Sequence, residues 1–136
     1  VEIAAIEDGA QPTLDYAHEH DAAVVASVHD FEGTPEGEQL ARLLARAAAA
    51  GDVGKLAVTA ETREETLRLL SITHAMTQEG ATVATMAMGE VGAHTRAVAP
   101  GYGSKLGYAP VDPADATAPG QYDLETLARL VESLSE

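Results

Sequence analysis

The chain has 136 residues, enough for one domain with a hydrophobic core and too few for two domains of ordinary size. Acidic residues outnumber basic ones by 22 to 8, and the formal charge of −14 argues against nucleic acid or an anionic membrane as a partner. The chain has no cysteine, which excludes disulfides, thiolate nucleophiles and thiolate zinc sites.

The acidic residues are spread over the chain, and the only lysines are Lys55 and Lys105. An evenly acidic surface with so few lysines is typical of a protein from a salt-rich cytoplasm. No apolar run approaches the roughly 18 residues that a membrane helix requires. We therefore expect a cytoplasmic protein from a halophilic organism.

Patterns typical of strands and helices alternate along the chain, as in proteins with a parallel β-sheet. Continuous apolar runs predict strands, and apolar residues at i, i+3, i+4 and i+7 predict helices. In chain order we predict a strand at 1–6, a helix at 12–20, a strand at 22–28, a helix that begins after Thr34 and stops near Gly51, a strand at 53–60, a helix at 62–80, a strand at 82–88, a short helix at 89–98, a strand at 104–109, a loop at 111–122 and a helix at 123–134.

Three of these helices begin at residues that can cap exposed backbone N–H groups. Thr34 precedes Pro35, which suits a first turn where no donor is needed. Thr62 and Glu65 have the spacing of a capping box, and Asp123 precedes the last apolar stripe. The alternating elements fit either an open sheet or most of a (β/α)8 barrel, and the pattern alone does not choose between them.

Lys55 lies within an otherwise apolar predicted strand, where lysine is rarely buried without a partner or a function. Burial and nearby positive charge lower the pKa of a lysine, and the free amine can attack a carbonyl to form an imine. A lysine at a strand edge that extends its ammonium to water fits the pattern equally well.

His29 directly follows the second predicted strand, at the end where βα proteins place catalytic groups. Imidazole titrates near neutral pH and can accept and return a proton within one reaction cycle. A histidine hydrogen-bonded within a loop is an equal alternative. Lys55 follows one βα unit later, so adjacent parallel strands would bring both side chains to one barrel mouth, where they could support imine chemistry.

Segments around these residues resemble a known family. His-Asp-Phe-Glu-Gly-Thr-Pro at 29–35 resembles the His-Asp-Phe-x-x-Thr-Pro segment of type I 3-dehydroquinate dehydratases, and Lys55 stands where that family has its imine-forming lysine. Thr-Met-Ala-Met at 85–88 is similar to the family's Thr-Met-Ser-Met segment. Ala-Pro-Gly-Gln at 118–121 matches the loop that closes over the substrate, so the resemblance extends to the C-terminal part of the chain.

The resemblance implies an α/β protein with a (β/α)8 TIM barrel, of which this chain covers about the last five βα units. Residues 1–136 would then be the C-terminal part of a single barrel domain. The implied activity is that of a lyase in the shikimate pathway of aromatic amino-acid biosynthesis. It removes water from 3-dehydroquinate by syn elimination through a Schiff base and gives 3-dehydroshikimate.

The resemblance also implies the roles of individual residues. Lys55 would form the imine, His29 would act as general acid and base, and Arg96 would bind the substrate carboxylate. Thr117, where the family has serine, and Gln121 would contact the substrate from the closing loop. The implied reaction requires neither a metal nor an organic cofactor, and full-length members of the family usually form homodimers.

The resemblance is incomplete at the N-terminal end. Whole members of the family have on earlier strands a glutamate that orients the histidine and further groups that hold the substrate, and the sequence shows none of these. Glu2 resembles only an acidic residue late in the fourth strand. The resemblance thus implies that about the first three strands and part of the fourth are missing.

The remaining candidates have weaker support. We expect His18, His20 and His74 to be solvated, whereas His94 could line the edge of the pocket near Arg96. We expect Tyr108 to pack within the barrel, with contact to the substrate as the alternative.

Two other functions remain open. One is a different imine-forming barrel enzyme such as a class I aldolase, although the segments at 29–35 and 118–121 do not support it. The other is a non-catalytic fragment of the barrel that serves as a binding or scaffold domain.

Overall fold

The computed structural model describes residues 1–135. Strands β1 (Val25–Asp30), β2 (Val53–Thr59) and β3 (Val83–Met88) form a parallel sheet in the order β1-β2-β3. These strands confirm the predictions at 22–28, 53–60 and 82–88, where apolar residues on both faces favour a sheet covered on both sides.

Within residues 1–135, six α-helices and three shorter helical turns connect and flank these strands. The α-helices are α1 (Ile3–Ala5), α2 (Gln11–Glu19), α3 (Gly37–Ala50), α4 (Arg63–Gln78), α5 (Thr95–Val98) and α6 (Leu124–Leu134). A π-helical turn follows α1 at Ile6–Ala10, and 3-10 turns lie at Ala99–Tyr102 and Pro113–Asp115. The helix predicted at 89–98 is confined to α5, because the chain bends at Gly89 and residues 90–94 form turns. No helix within residues 1–135 is both long and apolar enough to cross a membrane.

The core lies between one face of the sheet and helices α3 and α4. Leu40 and Leu44 of α3 and Leu69 of α4 pack with Leu56 and Val58 of β2, and all five side chains are fully buried. Because side chains alternate along a strand, the residues between them on β2 point to the opposite face of the sheet. That opposite face is therefore available for a functional site.

Two predicted helix caps are confirmed. The Thr62 side chain accepts a hydrogen bond from Glu65 N at 3.3 Å, and the Glu65 carboxylate accepts one from Thr62 N at 3.0 Å, which completes a capping box at α4. At α6, the Asp123 carboxylate accepts from Thr126 N at 3.0 Å. Both caps satisfy N–H groups that the first helical turn leaves without partners.

The prediction that Thr34 caps α3 is wrong. This helix begins at Gly37, and Glu36 precedes it without a side-chain cap. The Thr34 hydroxyl donates instead to the carbonyl of Thr59 at 2.7 Å. The carbonyl at the end of β2 thus provides a tertiary partner, and the bond connects the loop after β1 to β2.

The strand predicted at 1–6 is also wrong. Glu2 forms an isolated parallel bridge to Ser27, and α1 begins at the next residue. Ile3 packs with Ala26 of β1, and Ile6, one helical turn later, packs against the same cluster. A short apolar run fits a strand and a helix equally well, and here tertiary packing favours the helical spacing.

The segment at 104–109 follows β3 without forming the predicted strand. Lys105 N donates to the carbonyl of Val83 at 2.9 Å, and Thr85 N donates to the Ser104 hydroxyl at 2.9 Å. Within residues 1–135, no strand pairs with the outer edge of this segment. With one neighbour only, the segment lacks the backbone ladder that the sequence pattern predicts.

Candidate active site

The face of the sheet opposite α3 and α4 lines a cavity of about 260 Å³. This volume suits a small organic molecule. All five site residues predicted from the sequence line this cavity, namely His29, Lys55, Arg96, Thr117 and Gln121. The structure therefore brings residues from two strands, one helix and one loop to the same place.

Lys55 and His29 are in direct contact. The two side chains project from adjacent parallel strands, β2 and β1, towards the cavity. Lys55 Nζ lies 2.6 Å from His29 Nε2, and Lys55 is only 8% exposed. The lysine therefore does not extend to water, and its amine has an imidazole as its immediate proton-exchange partner.

A third side chain, the carboxylate of Glu2, joins this pair, and the sequence did not predict its contact. Its Oε1 contacts His29 Nδ1. The parallel bridge between Glu2 and Ser27 places the carboxylate beside β1, on which His29 follows Ser27 by two residues and shares its face. When Nδ1 donates its hydrogen to this carboxylate, the lone pair of Nε2 faces Lys55. The sequence did contain one signal for this role, because Glu2 is the only charged residue in the apolar run at 1–6.

The surroundings of Lys55 favour the neutral amine. Burial lowers the pKa of Lys55 below its ordinary value, the Glu2 carboxylate opposes this change, and the Arg96 guanidinium adds to it. A larger fraction of the amine is therefore unprotonated near neutral pH than for a lysine in water. Only the unprotonated amine can attack a carbonyl.

Among residues 1–135, Arg96 is a buried cation without an acidic partner. Its side chain is 6% exposed, its Nε has no hydrogen-bond partner within residues 1–135, and its Nη1 contacts Met86 Sδ at 3.9 Å. Burial lowers the pKa of Arg96, and the nearby Tyr122 opposes this change. A buried guanidinium with free donors is a strong binding group for a ligand carboxylate.

The position of Arg96 follows from how α5 is attached to the sheet. The neighbouring Thr95 accepts a hydrogen bond at its hydroxyl from Ala87 N of β3 at 3.0 Å. The same hydroxyl donates to the carbonyl of Gly92 at 2.7 Å. Thr95 is fully buried, so these bonds fix the first turn of α5 and direct the next residue towards the cavity.

The loop at 117–121 covers the cavity next to Arg96. Gln121 Oε1 accepts hydrogen bonds from Thr117 N at 2.8 Å and Ala118 N at 3.3 Å. Gly89 N, just after β3, donates to the carbonyl of Pro119 at 3.1 Å. The amide oxygen of Gln121 is thus used within the loop, whereas its amide nitrogen has no protein partner among residues 1–135 and can donate to a ligand.

Two aromatic rings complete the wall of the cavity. Phe31 stacks on the imidazole of His29 with centroids 5.7 Å apart, and Tyr108 lies over Lys55 with its ring centroid 5.3 Å from Nζ. The expectation that Tyr108 packs within the barrel is wrong, because its side chain is 46% exposed and lines the cavity. With only one neighbouring strand, the segment that contains Tyr108 leaves the ring open to solvent.

The other histidines lie outside the cavity. His18, His20 and His74 are exposed, which confirms the prediction for them, and His18 contacts the Asp52 carboxylate at 2.8 Å. The side chain of His94 contacts Arg63 at 2.8 Å and does not line the cavity. In the described part of the chain, residues 1–135, no group of three or more His, Asp or Glu side chains could hold a metal ion.

Comparisons with known proteins agree with this geometry. A family model described as Type I 3-dehydroquinase matches residues 1–136. The chain is 54% identical over 138 residues to the 3-dehydroquinate dehydratase of the halophilic archaeon Haloarcula marismortui. The aligned region covers 98% of this chain and 60% of that protein.

Solved structures give the same result. The 3-dehydroquinate dehydratase of Geobacillus kaustophilus superposes with a TM-score of 0.89 at 32% identity, over 98% of this chain and 52% of that one. The type I 3-dehydroquinate dehydratase of Clostridium difficile with covalently modified comenic acid gives 0.88 at 28% identity, over 98% and 53%. The (β/α)8 barrel prediction is confirmed, and the chain spans about half to 60% of the length of these relatives.

Proposed function

Because the chain belongs to the type I 3-dehydroquinase family, we propose that the protein containing it is a 3-dehydroquinate dehydratase that acts through an imine on Lys55. This lyase converts 3-dehydroquinate into 3-dehydroshikimate and water, a step of the shikimate pathway. The main observation in favour is the contact between the buried Lys55 Nζ and His29 Nε2 at 2.6 Å.

In the first stage, the unprotonated Lys55 amine attacks the substrate ketone and forms a C–N bond. The resulting carbinolamine loses its hydroxyl as water, which leaves a positively charged iminium on Nζ. His29 Nε2, next to Nζ, takes the proton that the amine releases and returns one to the departing hydroxyl. No redox partner is needed, because the step only exchanges a C=O bond for a C=N bond.

In the second stage, the iminium withdraws electrons and acidifies the adjacent C–H bond. His29 Nε2 removes this proton, and the electron pair forms the new C=C bond through an enamine. The same imidazole then donates a proton to the hydroxyl that leaves, so both groups depart from one face of the substrate. Water hydrolyses the product imine and regenerates the Lys55 amine. The Glu2 carboxylate stabilises the imidazolium that exists between these two proton transfers.

Substrate orientation is assigned to the groups around this pair. Arg96 binds the substrate carboxylate, which provides the negative charge that its buried guanidinium lacks. Gln121 donates from its free amide nitrogen to a substrate hydroxyl, and Thr117 contacts the substrate from the same loop. Fixing the ring at several points holds the ketone near Nζ and the C–H bond near the imidazole.

Three further expectations from the sequence are retained as part of this proposal. Residues 1–136 form the C-terminal part of a single barrel domain, and the 98% coverage of this chain by the Geobacillus kaustophilus barrel supports that assignment. The full-length enzyme forms a homodimer, which light scattering would test. The protein acts in the cytoplasm, which agrees with a chain free of cysteine.

The test is covalent trapping in the whole protein that contains this chain. Sodium borohydride is added together with 3-dehydroquinate, and peptide mass spectrometry locates the reduced adduct. We expect the adduct on Lys55 and not on Lys105, the other lysine of this chain. Lys55→Ala should abolish both the adduct and the rise in ultraviolet absorbance from the conjugated product, whereas Lys105→Ala should retain both. An active Lys55→Ala enzyme without an adduct would refute the assignment.

A further inference from the structure

The aromatic ring of Tyr108 lies where it can interact with a charge on Lys55. Its centroid is 5.3 Å from Nζ, within the range of about 6 Å over which a cation is attracted to an aromatic face. Lys55 is buried, so water weakens this attraction less than it would at an exposed site.

The ring has a defined position because its segment is attached on both sides. Before it, Lys105 N donates to the carbonyl of Val83 at 2.9 Å. After it, Leu124 N, at the start of α6, donates to the carbonyl of Pro110 at 2.8 Å. Tyr108 therefore lies between two anchored points, and its ring forms part of the cavity wall although it is half exposed.

Among the described residues around Nζ, none stabilises its positive charge by direct contact with a carboxylate. His29 contacts Nζ as a neutral hydrogen-bond acceptor when its Nδ1 donates to Glu2, and the Glu2 carboxylate acts from beyond the imidazole. Arg96 contributes positive charge from α5, and burial disfavours any charge. A carboxylate in direct contact with Nζ would hold it as an ammonium ion, whereas an aromatic face attracts positive charge without accepting a proton.

We propose that the face of Tyr108 stabilises positive charge on Lys55 Nζ, both in the ammonium form and in the iminium formed with the substrate ketone. In the iminium the charge remains on the same nitrogen, so the ring that faces the ammonium also faces the intermediate. The ammonium part concerns this chain alone, and the iminium part rests on the proposed dehydratase function. Tyr108 thus acts on the reaction through Lys55, by stabilising the charge on its nitrogen.

The test measures the titration of Lys55 without substrate. In the whole protein, brief labelling with acetic anhydride over a pH series, followed by peptide mass spectrometry, gives the pKa of Lys55, with Lys105 as internal reference. Tyr108→Leu keeps an apolar cover but removes the aromatic face. We expect it to lower the pKa of Lys55 by about 0.4 to 0.7, which is roughly a 2.5- to fivefold loss of cation stabilisation.

The controls separate the aromatic face from other properties of the residue. Tyr108→Phe retains the face without the hydroxyl and should match the wild type. Tyr102→Leu removes an aromatic ring of similar exposure that lies edge-on to His74, outside the cavity, and should also leave the pKa of Lys55 unchanged. Tyr108→Ile repeats the main substitution should the leucine variant fail to fold.

The outcomes are decisive in both directions. A lower pKa of Lys55 in the leucine or isoleucine variant, with wild-type values in the phenylalanine variant, supports the proposal. An unchanged pKa in both aliphatic variants, or an equal decrease in Tyr108→Phe, overturns it. Because this titration requires no dehydratase activity, its result is independent of the borohydride experiment with 3-dehydroquinate.

Discussion

Lys55 Nζ and His29 Nε2 lie 2.6 Å apart although the two residues are not register partners in the sheet. Lys55 is paired with Ser27, and His29 is paired with Ala57, two residues further along β2. The lysine side chain therefore extends along its strand towards the carboxyl end of the sheet to meet the imidazole. Its length places the amine and the proton-transfer group at the same depth in the cavity.

Replacing Glu2 tests the carboxylate behind this pair. Glu2→Gln removes a negative charge that raises the pKa of Lys55, so we expect that pKa to decrease further below its usual value. We also expect kcat to fall by about tenfold, because the imidazolium loses a stabilising partner while substrate binding is retained. The measurements are the acetic anhydride titration and steady-state kinetics of the whole protein.

Glu7→Gln is the matched control for this experiment. Glu7 pairs with Arg46 outside the cavity, so its replacement should change neither the titration nor kcat. Equal effects of the two substitutions would show that net charge, and not the contact with His29, is responsible.

Arg96 should show opposite effects on stability and activity. Arg96→Met removes a buried guanidinium that has no acidic partner in the described part of the chain, and it keeps a side chain of similar shape. We therefore expect the free energy of unfolding to increase by about 1 to 3 kcal/mol. We expect kcat/KM to fall at least about tenfold, because the substrate carboxylate loses a charged hydrogen-bond donor.

Urea unfolding and steady-state kinetics measure the two effects in the same variant. Arg42→Met, at a site where the side chain is 67% exposed, should leave both values near those of the wild type. A lower free energy of unfolding for Arg96→Met than for the wild type would contradict this prediction. It would show that the protein itself compensates the charge of the guanidinium.

Gly120 should be essential for the geometry of the closing loop. Its φ of +77° lies in the left-handed region, and a Cβ atom there would lie 2.3 Å from the carbonyl oxygen of Gly89. Gly120→Ala should therefore displace the loop from the end of β3 and raise KM for the substrate by about tenfold. Gly101→Ala is the control, because a Cβ at Gly101 meets no atom within 4 Å. Equal kinetics of the two variants would argue against a substrate-covering role for the loop.

The net charge of −14 should make stability depend on salt. Repulsion among exposed carboxylates decreases as salt screens them, so KCl should raise the melting temperature. A gain of about 2 kcal/mol would correspond to roughly 8 °C for a chain of this size. Calorimetry in KCl, with sucrose at equal osmolality as the uncharged control, measures this. A melting temperature that KCl leaves unchanged would contradict adaptation to a salt-rich cytoplasm.

Local signals were sufficient for some elements of the fold. Strands β1 to β3 have continuous apolar runs, and the caps at Thr62 and Asp123 need only residues within the same turn. The segments at 1–6 and 104–109 were mispredicted because strand formation requires a neighbouring strand, which no local pattern contains. Thr34 failed as a cap because a tertiary acceptor, the Thr59 carbonyl, competes for its hydroxyl.

The candidate site shows the same division. The cavity brings together all five residues expected from the family resemblance, which lie on strands β1 and β2, on helix α5 and in the loop at 117–121. The contacts of Glu2 with His29 and of Tyr108 with Lys55 connect residues that are distant in sequence, and no motif includes either pair. Which side chain meets which in a cavity depends on strand register and loop position, and the sequence pattern specifies neither.

The hydrogen bonds that hold Gln121 Oε1 inside its own loop also determine what the loop can select. With the oxygen engaged, Gln121 offers only N–H donors to the cavity, so the group opposite it must be an acceptor. A hydroxyl or a carbonyl oxygen meets that condition, whereas an ammonium group at the same position would face donor against donor. We therefore expect the loop to discriminate among ligands of equal size by hydrogen-bond polarity.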